Sequence, residues 1–274
     1  MDPLGMPQTA GYLFVFVLAM SLPAVHPLPD INDQSFIDEY IKAHNYYRSK
    51  VKPAASDMKR MSWDDALAKT ARAWARKCNF NHNNYLREKG KVHPLFSPVG
   101  ENIWVGRPPQ SFNASKAIQS WYSEVKAYSY QANSCTSICG HYTQLVWAKS
   151  YKVGCAAVVC EKGIIDYNPA PGAIFVCNYA EAGNYEGVKP YKTGGACTDC
   201  DSQDSCSDNL CSNPKRDQQS KYPHWTPDWD DSSSSANTIV SYQAVLITRL
   251  FSLIPVLAMG YAATFLWPQI FAYE

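Results

Sequence analysis

The sequence predicts an α+β fold, because segments with helical spacing come first along the chain and strand-like segments follow. Three stretches between residues 35 and 125 repeat apolar side chains at the spacing of an amphipathic helix. Three later apolar stretches, residues 142–147, 154–160 and 174–179, resemble buried strands. A block of helices followed by a block of strands is typical of an α+β domain.

The first helix is predicted to start near Ser35, with Asp38 three residues later as its capping partner. The stretch from Lys50 to Pro53 ends it. One face of this helix combines five side chains at helical spacing: Phe36, Ile37, Tyr40, Ile41 and His44. We therefore expect His44 to pack in the core and not to bind a ligand.

Two more helices follow. Ser62 with Asp65 is predicted to open the second, whose apolar side holds Leu67, Ala71, Trp74 and Cys78. The third carries Ile118, Trp121, Tyr122 and Val125. Glu124 lies at the border of that stripe, so its carboxylate can point into a cleft. The loop before this helix contains the glycosylation sequon Asn113-Ala-Ser115, which predicts a surface position.

Composition limits the class of protein. The net charge is +1, and the lysines and arginines are scattered, so no basic patch indicates nucleic-acid binding. Residues 29–190 are enough to bury about 70% of the surface that they expose when unfolded. The ten cysteines, an even number behind an apolar N-terminal run, indicate an oxidising compartment and disulfides instead of zinc-binding thiolates.

The N-terminal region is predicted to be a secretory signal peptide. Its apolar run, residues 12–22, is followed by Pro23-Ala24 and then by polar sequence. Cleavage is expected near Ala24 to His26, so that residues 1–25 are removed. A transmembrane anchor would need about 20 apolar residues, and this run is shorter.

The C-terminal region combines a polar stretch with an apolar one. Residues 214–238 are predicted to form a flexible linker. Residues 239–274 are apolar apart from a few positions, Arg249 among them, and two alternatives remain open for them. They form either a single membrane-spanning helix or the signal for a GPI anchor, with Ser232 to Asn237 offering small residues for attachment. Both alternatives tether the protein to the outer face of the plasma membrane.

Four motifs resemble those of the CAP superfamily, the cysteine-rich secretory, antigen 5 and pathogenesis-related proteins. They are residues 140–150 (GHYTQLVWAKS), 174–185 (IFVCNYAEAGNY), 100–103 (GENI) and 44–48 (HNYYR). The second departs from the family pattern at Glu181. The resemblance covers about residues 34–211 and implies a three-layer α-β-α sandwich over 29–190, followed by a small disulfide-rich hinge over 191–213.

The same resemblance implies a pairing for the cysteines. It pairs Cys78 with Cys160, Cys155 with Cys177, Cys197 with Cys206 and Cys200 with Cys211, and leaves Cys135 and Cys139 to pair locally. Within the superfamily the chain is most similar to the glioma pathogenesis-related group and its sperm-associated relatives, through residues 51–58 and 100–104. That similarity implies cell-surface signalling or sperm–egg interaction through an unknown protein partner.

The family's cleft, carried over residue by residue, is lined by His82, Glu101, Glu124 and His141. The resemblance implies that the two histidines bind zinc or another divalent cation, since neutral imidazoles are good zinc ligands. Affinity should then be lost below about pH 6, where imidazoles protonate. We favour binding without turnover over a metal-dependent hydrolase in which Glu101 or Glu124 is the general base. A sterol- or fatty-acid-binding protein is a third alternative.

Overall fold

The computed structural model describes residues 28–231. The predicted signal peptide, the apolar stretch 239–274 and the last part of the predicted linker lie outside the described residues. Within residues 28–231, no helix is both long and apolar enough to cross a membrane.

A four-stranded sheet forms the middle layer of the domain. The strands in chain order are β1 (Ser62–Trp63), β2 (Gly100–Gly106), β3 (Tyr128–Ser129), β4 (Ser134–Cys135), β5 (Lys152–Cys160), β6 (Gly172–Ala180), β7 (Ser205–Ser207) and β8 (Leu210–Ser212). The main sheet has the order β1-β5-β6-β2, while β3 pairs with β4 and β7 with β8. β6 is antiparallel to both of its neighbours, and β1 is parallel to β5. β2 is therefore an edge strand.

Helices cover both faces of the main sheet. The described chain has α1 (Gln34–Arg48), α2 (Asp65–Ala75), α3 (Ala114–Ser123) and α4 (Gly140–Leu145). On one face α2 packs so closely that a Cβ atom on Gly154 would lie 2.1 Å from the backbone nitrogen of Ala68. On the other face, the Phe175 ring lies 5.1 Å from that of Tyr40 in α1 and 5.3 Å from that of Trp121 in α3. The predicted three-layer α-β-α sandwich is confirmed.

The first helix starts at Gln34, as predicted near Ser35, but the predicted capping residues of the first two helices are wrong. Asp33 caps α1, because its carboxylate accepts a 2.9 Å hydrogen bond from the Ser35 backbone N–H, while Asp38 accepts from the Gln34 side chain. Asp64 caps α2 by accepting from the Leu67 backbone N–H at 3.0 Å. Ser62 lies in β1, and α2 ends at Ala75, before Cys78. In both helices an aspartate closer to the first free N–H groups satisfies them.

The predicted strand over residues 142–147 is also wrong, since this part of the chain begins inside α4. Tyr142 and Leu145, three residues apart, are both buried, as expected of one helix face. A short apolar run does not distinguish a buried strand from a buried helical turn by periodicity.

A buried arginine ties α1 to the segment that follows α4. Arg48 is fully buried, and its guanidinium donates hydrogen bonds to the carbonyl oxygens of Lys59, Leu145, Trp147, Ala148 and Ser150. Burial lowers the pKa of Arg48 to about 9. The group remains charged at neutral pH and fixes the loop after α4 against the N-terminal helix.

The cysteines of the described chain form five disulfides, and these are the pairs that the resemblance implies. They are Cys78–Cys160, Cys135–Cys139, Cys155–Cys177, Cys197–Cys206 and Cys200–Cys211. The hinge is attached to the domain, because the Cys211 N–H donates to the Met58 carbonyl at 2.8 Å and the Arg60 N–H to the Cys211 carbonyl at 3.0 Å.

Residues 214–231, which we call the C-terminal strap, are packed against α2 and the loop after it. This corrects the prediction of a flexible linker for that part of the chain. Trp229 stacks on Tyr85 with ring centroids 5.1 Å apart, and its indole N–H donates to the Lys91 carbonyl at 2.8 Å. Three ion pairs flank it: Lys91–Asp228, Arg76–Asp230 and Lys77–Asp231. Although the strap is polar in composition, its aromatic residues supply the apolar area that packs against the domain.

Candidate functional site

The first half of the candidate site is a histidine held by a buried glutamate of the edge strand. Glu101 lies in β2 with its side chain fully buried, and the His82 side chain is 63% exposed. His82 Nδ1 donates to Glu101 Oε1 at 2.9 Å, and the Asn83 backbone N–H donates to the same oxygen at 2.9 Å. Asn178 lies opposite Glu101 in β6. Its neighbours assign the orientation of its amide: the nitrogen donates to Glu101 Oε2 at 3.2 Å, and the oxygen accepts from the Ala71 backbone N–H at 3.2 Å.

The second half of the site is a histidine at the start of α4. Glu124 is the first residue of the 3₁₀ turn Glu124–Ala127 that follows α3. Its Oε1 accepts from His141 Nδ1 at 2.6 Å, and its Oε2 accepts from the backbone N–H groups of His141 and Tyr142. Glu124 therefore caps α4 from another element, since Cys139 at the N-cap position makes no side-chain capping bond. The His141 ring also stacks over Trp121 at 6.1 Å.

Asn102 connects the two halves through β2. It follows Glu101, and successive side chains of a strand point to opposite faces. The Asn102 amide accordingly donates to the His141 carbonyl at 3.0 Å and to the Tyr179 hydroxyl at 3.3 Å. The start of β2 thus holds His82 from one face of the sheet and the His141 backbone from the other.

Both histidines have the same hydrogen-bonding arrangement. In each ring Nδ1 faces a carboxylate, which only accepts, so Nδ1 carries the proton and Nε2 keeps its lone pair. Among the described residues, no hydrogen bond is made by Nε2 of His82 or His141. The hydrogen bond that His82 donates to Glu101 also raises the pKa of His82 above its usual value, because the carboxylate stabilises the imidazolium.

The chemistry of this donor set fits zinc, and its two imidazoles offer two Nε2 nitrogens as ligands. Neutral imidazoles oriented by a carboxylate are the arrangement found around protein-bound zinc. None of the four site residues belongs, within residues 28–231, to a group of three donor side chains close enough to share an ion. Further ligands would have to come from water or from a bound molecule.

His44, Cys155 and Cys177 do form such a group in the described chain. The two sulfurs are joined in a disulfide and are not thiolates. His44 has no nitrogen to spare, because Nδ1 donates to the Tyr40 carbonyl at 2.8 Å and Nε2 accepts from the Tyr179 hydroxyl at 3.0 Å. Burial lowers the pKa of His44 to about 4, so it stays neutral. The structure thus confirms the prediction that His44 is a core residue.

Three residues that shape the site were not found from the sequence: Asn102, Trp121 as a stacking partner, and Asn178. The register of the sheet is the signal that would have found Asn178, since pairing Gly100–Gly106 with Gly172–Ala180 puts it opposite Glu101. Trp121 was predicted only as a core residue. Its stacking on His141 depends on α4 being a helix.

Comparison with known proteins identifies the family of this chain. The profile described as the cysteine-rich secretory protein (CAP) family matches residues 41–179, half of the chain. The chain belongs to the CAP family.

The most informative relatives are GLIPR1-like protein 1 of Bos taurus and glioma pathogenesis-related protein 1 of Mus musculus. The first is 49% identical over 219 residues, covering 79% of this chain and 88% of its own length. The second is 47% identical over 203 residues, covering 74% of each chain. Human GLIPR1-like protein 1 is 45% identical over 203 residues, 74% of this chain and 82% of its own. The narrower resemblance to the glioma pathogenesis-related group is confirmed.

Solved structures give the same fold. The crystal structure of Na-ASP-1 aligns with a TM-score of 0.52 and 26% identity, over 77% of this chain and 52% of that one. The structure of BmVAL-1 aligns with a TM-score of 0.52 and 21% identity, over 73% of this chain and 98% of that one.

Proposed function

We propose that this CAP protein is an extracellular binding protein that holds a divalent cation, Zn²⁺, through Nε2 of His82 and His141. The observation that carries the proposal is the shared arrangement of the two pairs, in which a glutamate accepts a hydrogen bond from Nδ1 of each imidazole and leaves Nε2 unprotonated. Bound zinc would supply a Lewis-acidic centre with positions left for water or for a donor of the partner.

The two glutamates support binding more than hydrolysis. Glu101 accepts from His82 and Asn83 and faces the Asn178 amide, and Glu124 accepts three hydrogen bonds. A carboxylate so fully engaged stabilises its neighbours and has little capacity left to take a proton from water. We therefore assign both glutamates to positioning the imidazoles.

The setting of this function is outside the cell. Five disulfides fit an oxidising, extracellular environment, and members of the family are generally secreted or extracellular. We extend this with two proposals that rest on sequence: residues 239–274 tether the protein to the outer face of the plasma membrane, and its role is recognition of a partner protein. Glycosylation at Asn113 fits the structure, because that side chain is exposed at the N-cap of α3.

The glutamate variants Glu101→Gln and Glu124→Gln test this assignment. If the carboxylates orient zinc-binding imidazoles, each variant should lower zinc affinity about 10- to 100-fold in a calorimetric titration. Glu161→Gln, an exposed glutamate outside the site, is the matched control. Zinc affinity unchanged in both site variants would reject the assignment. Zinc-dependent hydrolysis of a peptide or ester by the wild type, lost in either variant, would favour the hydrolase instead.

A further inference from the structure

A second cavity lies apart from the histidine–glutamate site, between the loop that follows α4 and residues 181–193. Its volume is about 680 Å³, within the range of small-molecule sites. None of His82, Glu101, Glu124 and His141 lines it. We call it the aromatic groove.

Aromatic side chains build the groove. Trp147, Tyr130 and Tyr191 are buried and lie among its lining residues. Tyr130 stacks on Tyr191 with centroids 4.9 Å apart and donates its hydroxyl hydrogen bond to the Tyr191 carbonyl, which fixes both rings. By contrast, Tyr185 and Val188 are 51% and 52% exposed, an apolar surface that the described chain does not cover. The exposed Tyr185 ring lies 6.0 Å from that of the buried Trp147, and an aromatic surface on a well-packed wall is suited to binding flat apolar groups.

Three lysines surround this apolar surface. Lys149, Lys189 and Lys192 all line the groove and are exposed. None of them has a carboxylate within 4.0 Å among the described residues. Lys189 Nζ lies 4.6 Å from the centre of the Tyr130 ring, so one ammonium group is already held against the aromatic wall.

The two acidic residues of the groove oppose this charge only in part. Asp57 Oδ1 accepts a 2.9 Å hydrogen bond from the Lys192 backbone N–H, which occupies part of that carboxylate. Glu181, at the position where the second signature departs from the family pattern, is the other acid. The balance of the lining is three ammonium groups against two carboxylates.

We propose that the aromatic groove binds an aromatic organic anion, a small molecule with a flat ring body and an acidic group. The body would lie on Tyr185 and Val188, and the acidic group would contact the lysines. Charge complementarity then selects an anion over a neutral molecule of the same shape.

The test uses two probes that differ only by the charge. One is 8-anilinonaphthalene-1-sulfonate, and the other is N-phenyl-1-naphthylamine, which has the same rings without the sulfonate. The wild-type protein should bind one anion per chain by fluorescence titration. The triple variant Lys149→Gln/Lys189→Gln/Lys192→Gln should weaken the anion at least about fivefold and leave the neutral probe unchanged. Tyr185→Ala should weaken both probes.

The matched control replaces three exposed lysines away from the groove, as Lys89→Gln/Lys116→Gln/Lys215→Gln. An equal loss of affinity in this variant would mean a general attraction to positive charge and would overturn the proposal. Affinity unaffected by Tyr185→Ala would place the probe elsewhere, with the same consequence. Because Tyr185 and the lysines are exposed, the variants should retain the wild-type circular dichroism spectrum, which is measured alongside.

Discussion

Single residues set the protonation states of this protein through their immediate partners. His82 and His44 show opposite effects, since a carboxylate raises the pKa of the first and burial lowers that of the second. The sequence could place His44 in the core from helical spacing alone. Spacing could not group His82 with Glu101, because their contact joins a loop to an edge strand, and only the family resemblance placed the two residues together.

The buried His44 should make the fold sensitive to acid. Its pKa is about 4 in the folded protein and near 6.5 when unfolded, so the unfolded chain binds more protons between those values. The free energy of unfolding should therefore fall as the pH is lowered from 6.5 to 4, and change little from this cause above 6.5. Urea unfolding of His44→Gln should show a flatter pH dependence than wild type. The control variant His224→Gln, which alters an exposed histidine, should keep the pH dependence of the wild type. Equal pH dependence of the wild type and His44→Gln would contradict this account.

At the scale of elements, the strap shows where composition was misleading. Polar residues and prolines predicted a linker, yet Trp229 packs on Tyr85 and Trp74. Periodicity predicted the existence and order of five elements: α1, α2, α3, β5 and β6. It did not predict α4, because a helix of six residues is stabilised by tertiary partners such as Glu124 and not by its own sequence pattern. The short strand β1 was likewise hidden, because two residues carry no period.

The strap should contribute to the stability of the domain. Trp229→Ala removes a partly buried indole and its hydrogen bond to Lys91, and we expect it to lower the free energy of unfolding by about 2 kcal/mol. Truncation after Asn213 should destabilise the protein further, because it also removes the ion pairs with Arg76, Lys77 and Lys91, which follow α2. Chemical denaturation measures both effects, and Leu95→Ala, at a side chain 75% exposed, is the control. A truncated protein as stable as one ending at Asp231 would show that the strap is dispensable.

For the molecule as a whole, the disulfides differ in how much of the chain they constrain. Cys78–Cys160 joins residues with a sequence separation of 82, whereas Cys135–Cys139 joins residues with a sequence separation of 4. The first joins the segment after α2, which leads to His82, to the end of β5. The second lies in a short loop before α4.

Removing these two bonds should therefore have unequal effects. Loop-closure entropy predicts a loss of about 4 kcal/mol for Cys78→Ala/Cys160→Ala and about 2 kcal/mol for Cys135→Ala/Cys139→Ala. The comparison requires thermal or denaturant unfolding of both variants beside the wild type. A larger loss from the short loop than from the long one would mean that chain entropy is not the dominant contribution.

The measurement that tests the central claim most directly is a zinc titration by calorimetry at pH 7.5. It compares the wild type, His82→Ala/His141→Ala, and His224→Ala as a histidine control outside the site. We predict one zinc per chain for the wild type and the control, affinity at least about 100-fold weaker for the double variant, and a marked loss for the wild type at pH 5. Equal affinity of the wild type and the double variant would contradict the assignment of His82 and His141 as the metal ligands.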